Sequence, residues 1–483
     1  MIEEVVKIHD KFTLEIKLGF IARKKQPVSD FLLNIWMFIP NSLDVNSATY
    51  SKSDFYRDIK SNIRLITPVY LLRDIVGNLN SPVVLLENAI GKLASNPSRS
   101  NSENYEFHIK MFLSILKSAL REHVDHIIKN SISEDNAYLV DEYVDNVCRI
   151  TETYRSLRRK VNVPTISKER FDYYLFGDEF MSNIVEQHTF KLVSGLKNKP
   201  TSEKILNKLL SLIKLEVEYK KQKGYPIVEP KSVVNNRELV SKLGMLKKYA
   251  ESELFLTANK KKDGLMIEQI YLSIAAGISM IFATIVAFSF QQKFGNFTIP
   301  LFVALVISYM LKDRIKELGR YYFAHKLSHF YFDYKIKISL NKLFIGWSKE
   351  AMDFVSNRKV PKEVLKNLNR SSIEDANNRD SNEQVILFKK FLRLKRNNID
   401  RSIQYSTLGM NEIIRINLLR FTQKMDNPIV PLYALNDSNV SVVEGEKVYS
   451  INLIMQFSNE DRVEYHKYRV LLNRDGIKGV EMD

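Results

Sequence analysis

Two apolar segments lie side by side in an otherwise polar chain, and they limit its possible folds more than any other feature. Tyr271 to Phe290 holds no charged residue, and neither does Phe297 to Leu311. Only Gln291, Gln292, Lys293, Phe294, Gly295 and Asn296 separate them. A helix needs about 20 apolar residues to cross the hydrocarbon core of a bilayer. The first segment has that length, and the second reaches about 18 residues when extended back to Phe294. The pattern predicts a transmembrane helical hairpin within 266–311, with helices at about 271–290 and 294–311. A hairpin buried inside a large helical domain is the alternative. The charge-free run and its basic flanks argue against it.

Those flanks give the expected orientation. Lys260, Lys261 and Lys262 precede the hairpin, and Lys312, Arg314, Lys316 and Arg320 follow it. Cytoplasmic ends of membrane helices are rich in Lys and Arg. Both large soluble parts are therefore expected on the cytoplasmic side, with both termini there and only the loop around Lys293 reaching across. The same cations make anionic lipid headgroups an expected partner, at about 1 kcal/mol per residue near the surface. The net charge of +16 divides evenly, +8 in 1–265 and +8 in 312–483. With 45% hydrophobic and 27% charged residues, the bulk of the chain is expected to fold. A mean hydropathy of −0.21 argues against a polytopic membrane protein. Met1 to Asp10 lacks an apolar core, so no signal peptide is expected. The single cysteine, Cys148, makes no internal disulfide, which fits a reducing compartment.

In lipid, helices associate through small residues that let backbones approach. Ser273, Ala276, Gly277, Ala283, Thr284 and Ala287 follow helical spacing in the first segment, and Pro300, Ala304 and Ser308 repeat in the second. These faces pack within one hairpin or join hairpins between subunits. No ionisable residue other than Lys293 lies between Tyr271 and Leu311, which argues against transport by one chain.

Elsewhere helical periodicity dominates and strand patterns sit at the ends. Phe12 to Phe20 alternates apolar and polar residues, and Phe31 to Ile39 is a second apolar run; together they predict an initial β-hairpin. Helices are expected at 53–76 with a break near Pro68, and at 82–94, 106–130, 137–161, 168–196, 202–223 and 237–256, with a loop from Pro97 to Asn104. After the hairpin, 312–335 reads as a continuing helix, 367–382 as a loop and 384–397 as a basic helix. Strands at 413–421, 440–443, 448–457 and 464–472 read as an antiparallel meander. The expected class is α+β and predominantly helical. An N-terminal domain 1–258 and a C-terminal domain 312–483 are joined by the transmembrane hairpin, with short β regions near both ends.

No phosphate loop, dinucleotide fingerprint, HExxH, paired CxxC or GxSxG occurs. One cysteine excludes a cysteine-rich zinc site within the chain. His325, His329 and Asp333 are spaced by four and would share one side of a continuous helix, a partial ligand set for zinc or iron. His123, Asp125 and His126 are a weaker grouping. Arg155, Arg158, Arg159 and Lys160 form one basic cluster and Lys389 to Arg396 another, but lipid headgroups are a simpler anionic partner than nucleic acid. The expectation is a membrane-anchored, cytoplasm-facing interaction, scaffold or sensor protein that binds a protein partner or itself. The alternatives are an enzyme of unrecognised type holding a metal, and a membrane-perturbing effector acting through assembled hairpins. No cofactor is named by the residues.

Overall fold

Two sheets take up strands from both ends and from the middle of the chain. A computed structural model describes residues 2–22, 26–129, 133–197, 203–322, 332–340, 343–368, 383–402, 404–436, 439–459 and 462–482. About 53% of the described residues are helical and 30% are strand, so the fold is mixed α+β. β1 (Ile2–Asp10) and β2 (Thr13–Ile21) form an antiparallel hairpin, with Ile16 opposite Val6. β3 (Val28–Pro40) joins a different sheet. The expected pairing of 12–20 with 31–39 is corrected here: β2 takes β1 as its partner. The four apolar residues of β1, Ile2, Val5, Val6 and Ile8, keep no regular two-residue alternation, so its strand signal is faint.

α1 (Lys52–Asp58) begins with a capping box, Ser51 receiving the Asp54 amide while Asp54 receives the Ser51 amide. It ends where Ile59 turns extended into β4 (Ile59–Leu65), so the long helix expected over 53–76 is corrected to one short helix and a strand. α2 (Pro82–Ser95), α3 (Arg99–Lys129), α4 (Ser133–Ser156), α5 (Arg158–Val161), α6 (Lys168–Leu196), α7 (Glu203–Lys223) and α8 (Val233–Glu251) follow. α3 starts at Arg99, so the loop expected at 97–104 is mostly helix. After β5 (Thr257–Lys262) come α9 (Leu265–Phe294) and α10 (Ile299–Tyr322). β6 (Tyr334–Leu340), β7 (Leu343–Val355), α11 (Lys362–Leu368), β8 (Glu383–Lys395) and β9 (Gly409–Asn417) come next. β10 (Ile429–Asn436), β11 (Asn439–Glu446), β12 (Tyr449–Asn459), β13 (Arg462–Asn473) and β14 (Gly476–Met482) close the chain.

The sheets run β14-β13-β12-β3-β8-β7-β6-β5, β1-β2-β9-β4 and β10-β11. Because β3 pairs with β8 and β12, and β2 with β9, the sheets cross the expected domain limits at 258 and 312. The chain forms two compact units: one of Met1–Ile63, Leu256–Ser402 and Gly409–Asp483, and a helical one of Arg64–Phe255 with Ile403–Leu408. In the first unit Trp36, Phe38, Val385, Leu387 and Ile454 pack against Val360, Val364 and Leu368 around α11. The second unit buries Tyr105, Phe112, Tyr143, Tyr154 and Tyr174 among α3, α4 and α6.

Three further expectations change. The basic helix at 384–397 is β8, a central strand between β3 and β7. Val385 to Phe388 is buried on consecutive positions because both faces of that strand are covered, which erases the two-residue alternation. Of the helix expected over 312–335, the described part of α10 runs to Tyr322, 323–331 lie outside the described residues, and Tyr334 and Lys335 already belong to β6. The loop expected at 367–382 lies almost wholly outside the described residues. Third, among the described residues one helix, α9, is long and apolar enough to span a membrane by length and composition. α10 is not: Lys312, Asp313, Arg314, Lys316, Glu317 and Arg320 interrupt it, leaving about 13 uncharged residues from Ile299 to Leu311. The expected two-pass hairpin is corrected to one helix of spanning length.

Candidate functional site

β5 and β6 are neighbours in the sheet, with Lys262 opposite Tyr334. Everything between them, α9 and α10 included, is an excursion from one β-ladder, and its two ends meet at a defined root. The Asp263 amide donates to the Asp333 carbonyl at 3.2 Å, closing the ladder. The Asp333 carboxylate then gathers three donors from two elements, α1 and β7. Its Oδ2 accepts from the Tyr56 hydroxyl of α1 at 2.9 Å and from the Met352 amide of β7 at 2.8 Å. Its Oδ1 accepts from Lys52 Nζ at 2.9 Å, and Lys52 also pairs with Asp353 at 2.9 Å. Burial and the Asp333 charge push the Tyr56 hydroxyl well above the usual phenol range. Gly264 takes φ of +74° to turn the chain into α9 and supplies no side-chain cap, and it borders a cleft of 340 Å³. Lys52, Tyr56, Lys262, Glu268, Phe332 and Asp333 line it.

From the root a chain of charges enters the core. Lys260 Nζ lies 3.1 Å from Glu350 Oε2, over the rings of Tyr56 and Tyr334 at 4.5 and 4.3 Å. Glu350 Oε1 accepts from Lys390 Nζ at 2.8 Å, and Lys390 also donates to Glu412, which takes the Ser61 hydroxyl as well. Lys390, Glu350 and Glu412 are all buried, so the network joins β7 and β8 of one sheet to β9 and β4 of the other. Burial opposes ionisation of Glu350, but Lys390 and Lys260 outweigh it and hold its carboxyl below the usual range. Burial likewise disfavours the Lys390 cation, and Glu350 and Glu412 reverse that, raising its pKa.

The helices α9 and α10 pack antiparallel through small residues. Ser308 Oγ lies 3.4 Å from the Ala283 carbonyl, and a Cβ on Gly319 would meet Ala275 Cβ at 2.6 Å. Ser279, Ala304 and Ser308 are buried there. Ser273 and Gly277 are exposed, and nothing lies within 4 Å of a Cβ built on Gly277. Ala287 lines a second cleft of 680 Å³ near the turn, with Leu301, Phe302 and Leu305.

The other sequence candidates fall as follows. Lys260, Lys261 and Lys262 lie on β5 rather than on a flexible flank, and Lys260 is engaged as above. Arg314, Lys316 and Arg320 are exposed on α10, Arg320 pairing with Glu317 at 3.2 Å, while Lys312 sits over Tyr309 at 4.0 Å. His325 and His329 lie outside the described residues. Asp333 is corrected: it does not continue a helix, and its carboxylate is occupied by Lys52, Tyr56 and Met352. Among the described residues no three His, Cys, Asp or Glu side chains are grouped to hold a metal. His123 is turned inward beside Tyr143, whereas Asp125 pairs outward with Lys191 at 2.6 Å. Most of the cations in both basic clusters make internal contacts, while Arg159 and Lys389 are exposed. Arg155 binds Glu216 at 2.7 Å and stacks 3.5 Å over Tyr219, and Lys160 pairs with Glu87. Arg393 grips Asp30 through two bonds of 2.7 and 2.6 Å. Sequence reasoning missed Lys52, Tyr56, Glu350, Lys390 and Glu412, which only the pairing of distant strands brings together. No family model and no curated protein matches the chain.

Proposed function

We propose that this chain is a membrane-attached interaction or scaffold protein, held at an anionic bilayer by α9 and α10. The observation that carries the reading is the apolar surface of these helices. Phe297 is fully exposed, Ile299 is 80% exposed, and Ile281, Ile285, Phe288 and Phe302 all face outward. A contiguous apolar surface of this kind marks contact with lipid or protein. The cations on α10 beside it suit anionic headgroups. Because the excursion begins and ends on adjacent strands, β5 and β6, the reading places the chain before and after it on one side, the cytoplasmic one. In flotation with vesicles of phosphatidylcholine and phosphatidylglycerol the protein rises with the lipid, and less of it rises with phosphatidylcholine alone. Phe297→Asp with Phe302→Asp abolishes flotation. Protein that stays at the bottom of both gradients refutes the reading.

A second reading, self-association along α9, is favoured by Ile270, Ile274, Ile278 and Ile281, an exposed row at helical spacing. Gly277→Leu on this open surface then lowers the subunit number measured by native mass spectrometry of the detergent-solubilised protein. An unchanged mass removes it.

A further inference from the structure

We infer that the α9–α10 hairpin enters the bilayer only part-way: its turn stops inside the hydrocarbon, and the charged part of α10 stays at the headgroups. The inference rests on the membrane reading above and concerns depth alone.

The register of the two helices sets that depth. Ser308 lies level with Ala283, and Gly319 level with Ala275. Lys312, Asp313, Arg314, Lys316 and Glu317 therefore run beside the stretch of α9 from Ala275 to Ala283, the middle of the segment that looks most like a membrane span in sequence. The charge-free thickness of the pair is set by α10. From Ile299 to Leu311 it is about 13 residues, or about 20 Å. On α9 the matching stretch from Ala283 to Phe294 rises about 17 Å. A bilayer core is about 30 Å thick. The pair is too short to cross it and long enough to pass its middle.

Counting charges decides between the two depths. A hairpin lowered until its turn meets the far headgroups carries Lys312, Asp313, Arg314, Lys316 and Glu317 below the near surface. Lys and Arg have stems long enough to return their charges to the interface, but Asp313 and Glu317 do not. Stopped part-way, the hairpin carries Lys293 alone, and that long side chain extends toward the far headgroups. Arg314, Lys316 and Arg320 then lie where anionic phosphates are, which is the charge match expected of a lipid surface. The partner is one face of an anionic bilayer.

The test uses the full chain with Cys148→Ser and one new thiol, Asn296→Cys at the turn, in vesicles of phosphatidylcholine and phosphatidylglycerol. A membrane-impermeant maleimide outside or trapped inside leaves this thiol unlabelled until detergent is added. A fluorophore on it is quenched more by lipids brominated deep in the acyl chain than by a headgroup quencher. Arg320→Cys in the same background is labelled from outside. Labelling of Asn296→Cys by the trapped reagent shows a full crossing and overturns the inference. Labelling from outside on floated protein shows that the turn does not insert, and overturns it too. Failure to float refutes the membrane reading instead, which separates the two. As a second arm, replacing Lys312, Asp313, Arg314, Lys316 and Glu317 by leucine brings the turn within reach of the trapped reagent. If the turn of that variant stays protected as before, charge does not set the depth and the inference falls.

Discussion

Lys390→Met removes the one cation at the centre of the network that joins the two sheets, and its cost follows from what is left behind. Lys390 is 2% exposed, so solvent screening does not soften the change. Glu350 keeps Lys260, but Glu412 keeps only the Ser61 hydroxyl, and its Oε2 is already buried without a partner among the described residues. Removing one member of a buried ion pair costs about 3–5 kcal/mol, because the remaining charge stays desolvated. The loss should fall in the upper half of that range, since two carboxylates lose the same cation. Urea unfolding followed by tryptophan fluorescence reads it directly, because the only two tryptophans, Trp36 on β3 and Trp347 on β7, both lie in the sheet that holds Lys390.

The pH dependence provides the sharper check. The folded Lys390 pKa is raised, so its stabilisation is complete below the ordinary value of 10.5 and is lost only as pH rises through the folded value. The folded Glu350 pKa is lowered, so its stabilisation is complete above the ordinary value of 4.5 and is lost as pH falls through the folded value. Between those limits the network contributes a constant amount in the native protein. The deficit of Lys390→Met is therefore read at about pH 7, inside those limits. Adding Glu412→Gln to Lys390→Met should recover part of the loss. A deficit below about 1 kcal/mol refutes the argument.

Three other outcomes follow from the geometry. Asp333→Asn removes the ion pair with Lys52 and weakens the bond to Tyr56, costing about 1–3 kcal/mol, and amide exchange in β5 and β6 should quicken while β12 and β13 stay unchanged. Gly319→Leu forces α10 away from Ala275, which a Cβ at that position already meets at 2.6 Å, so the distance between spin labels on Leu272 and Arg320 should lengthen. Arg155→Met removes the cation that Glu216 and Asp178 share in the helical unit, leaving them hydroxyl donors alone, at a cost of about 3–5 kcal/mol. Helical circular dichroism should then be lost at lower urea than tryptophan fluorescence, because no tryptophan lies in that unit; coincident transitions count against it.

Where apolar period and local caps agree, the sequence is readable almost to the residue. α6 spans Lys168–Leu196 as its periodicity suggests, and α2 starts at Pro82 after Ser81. β12 and β13 show their alternation and their turn plainly. β8 fails for a specific reason. Phe388, Leu392 and Leu394 point inward at a spacing of two, but Lys390 occupies the fourth inward position, and a lysine in a core contradicts the strand pattern unless its carboxylates are known. Those carboxylates sit on Glu350 and Glu412, 40 and 22 residues away. β5 fails differently. All six of its residues are exposed, so no buried face exists for a period to reveal. The hairpin helices are legible from composition, but their mutual register is not, because it depends on contacts such as Ser308 with Ala283.

β5 also separates two roles that the sequence merges. Lys260, Lys261 and Lys262 stand next to the apolar segment in sequence, which makes them look like a membrane flank. In the fold they occupy the terminal strand of an eight-stranded sheet. An open strand edge invites pairing with other chains, and lysines on it discourage that. The triplet is thus accounted for by edge protection and by the Lys260–Glu350 contact, without appeal to lipid. The charge argument for a bilayer passes instead to α10, whose Arg314, Lys316 and Arg320 are exposed on the helix that carries the apolar turn. It is this transfer, from cations near the apolar segment in sequence to cations beside it in space, that underlies the proposal of a hairpin with a limited depth in place of a two-pass one.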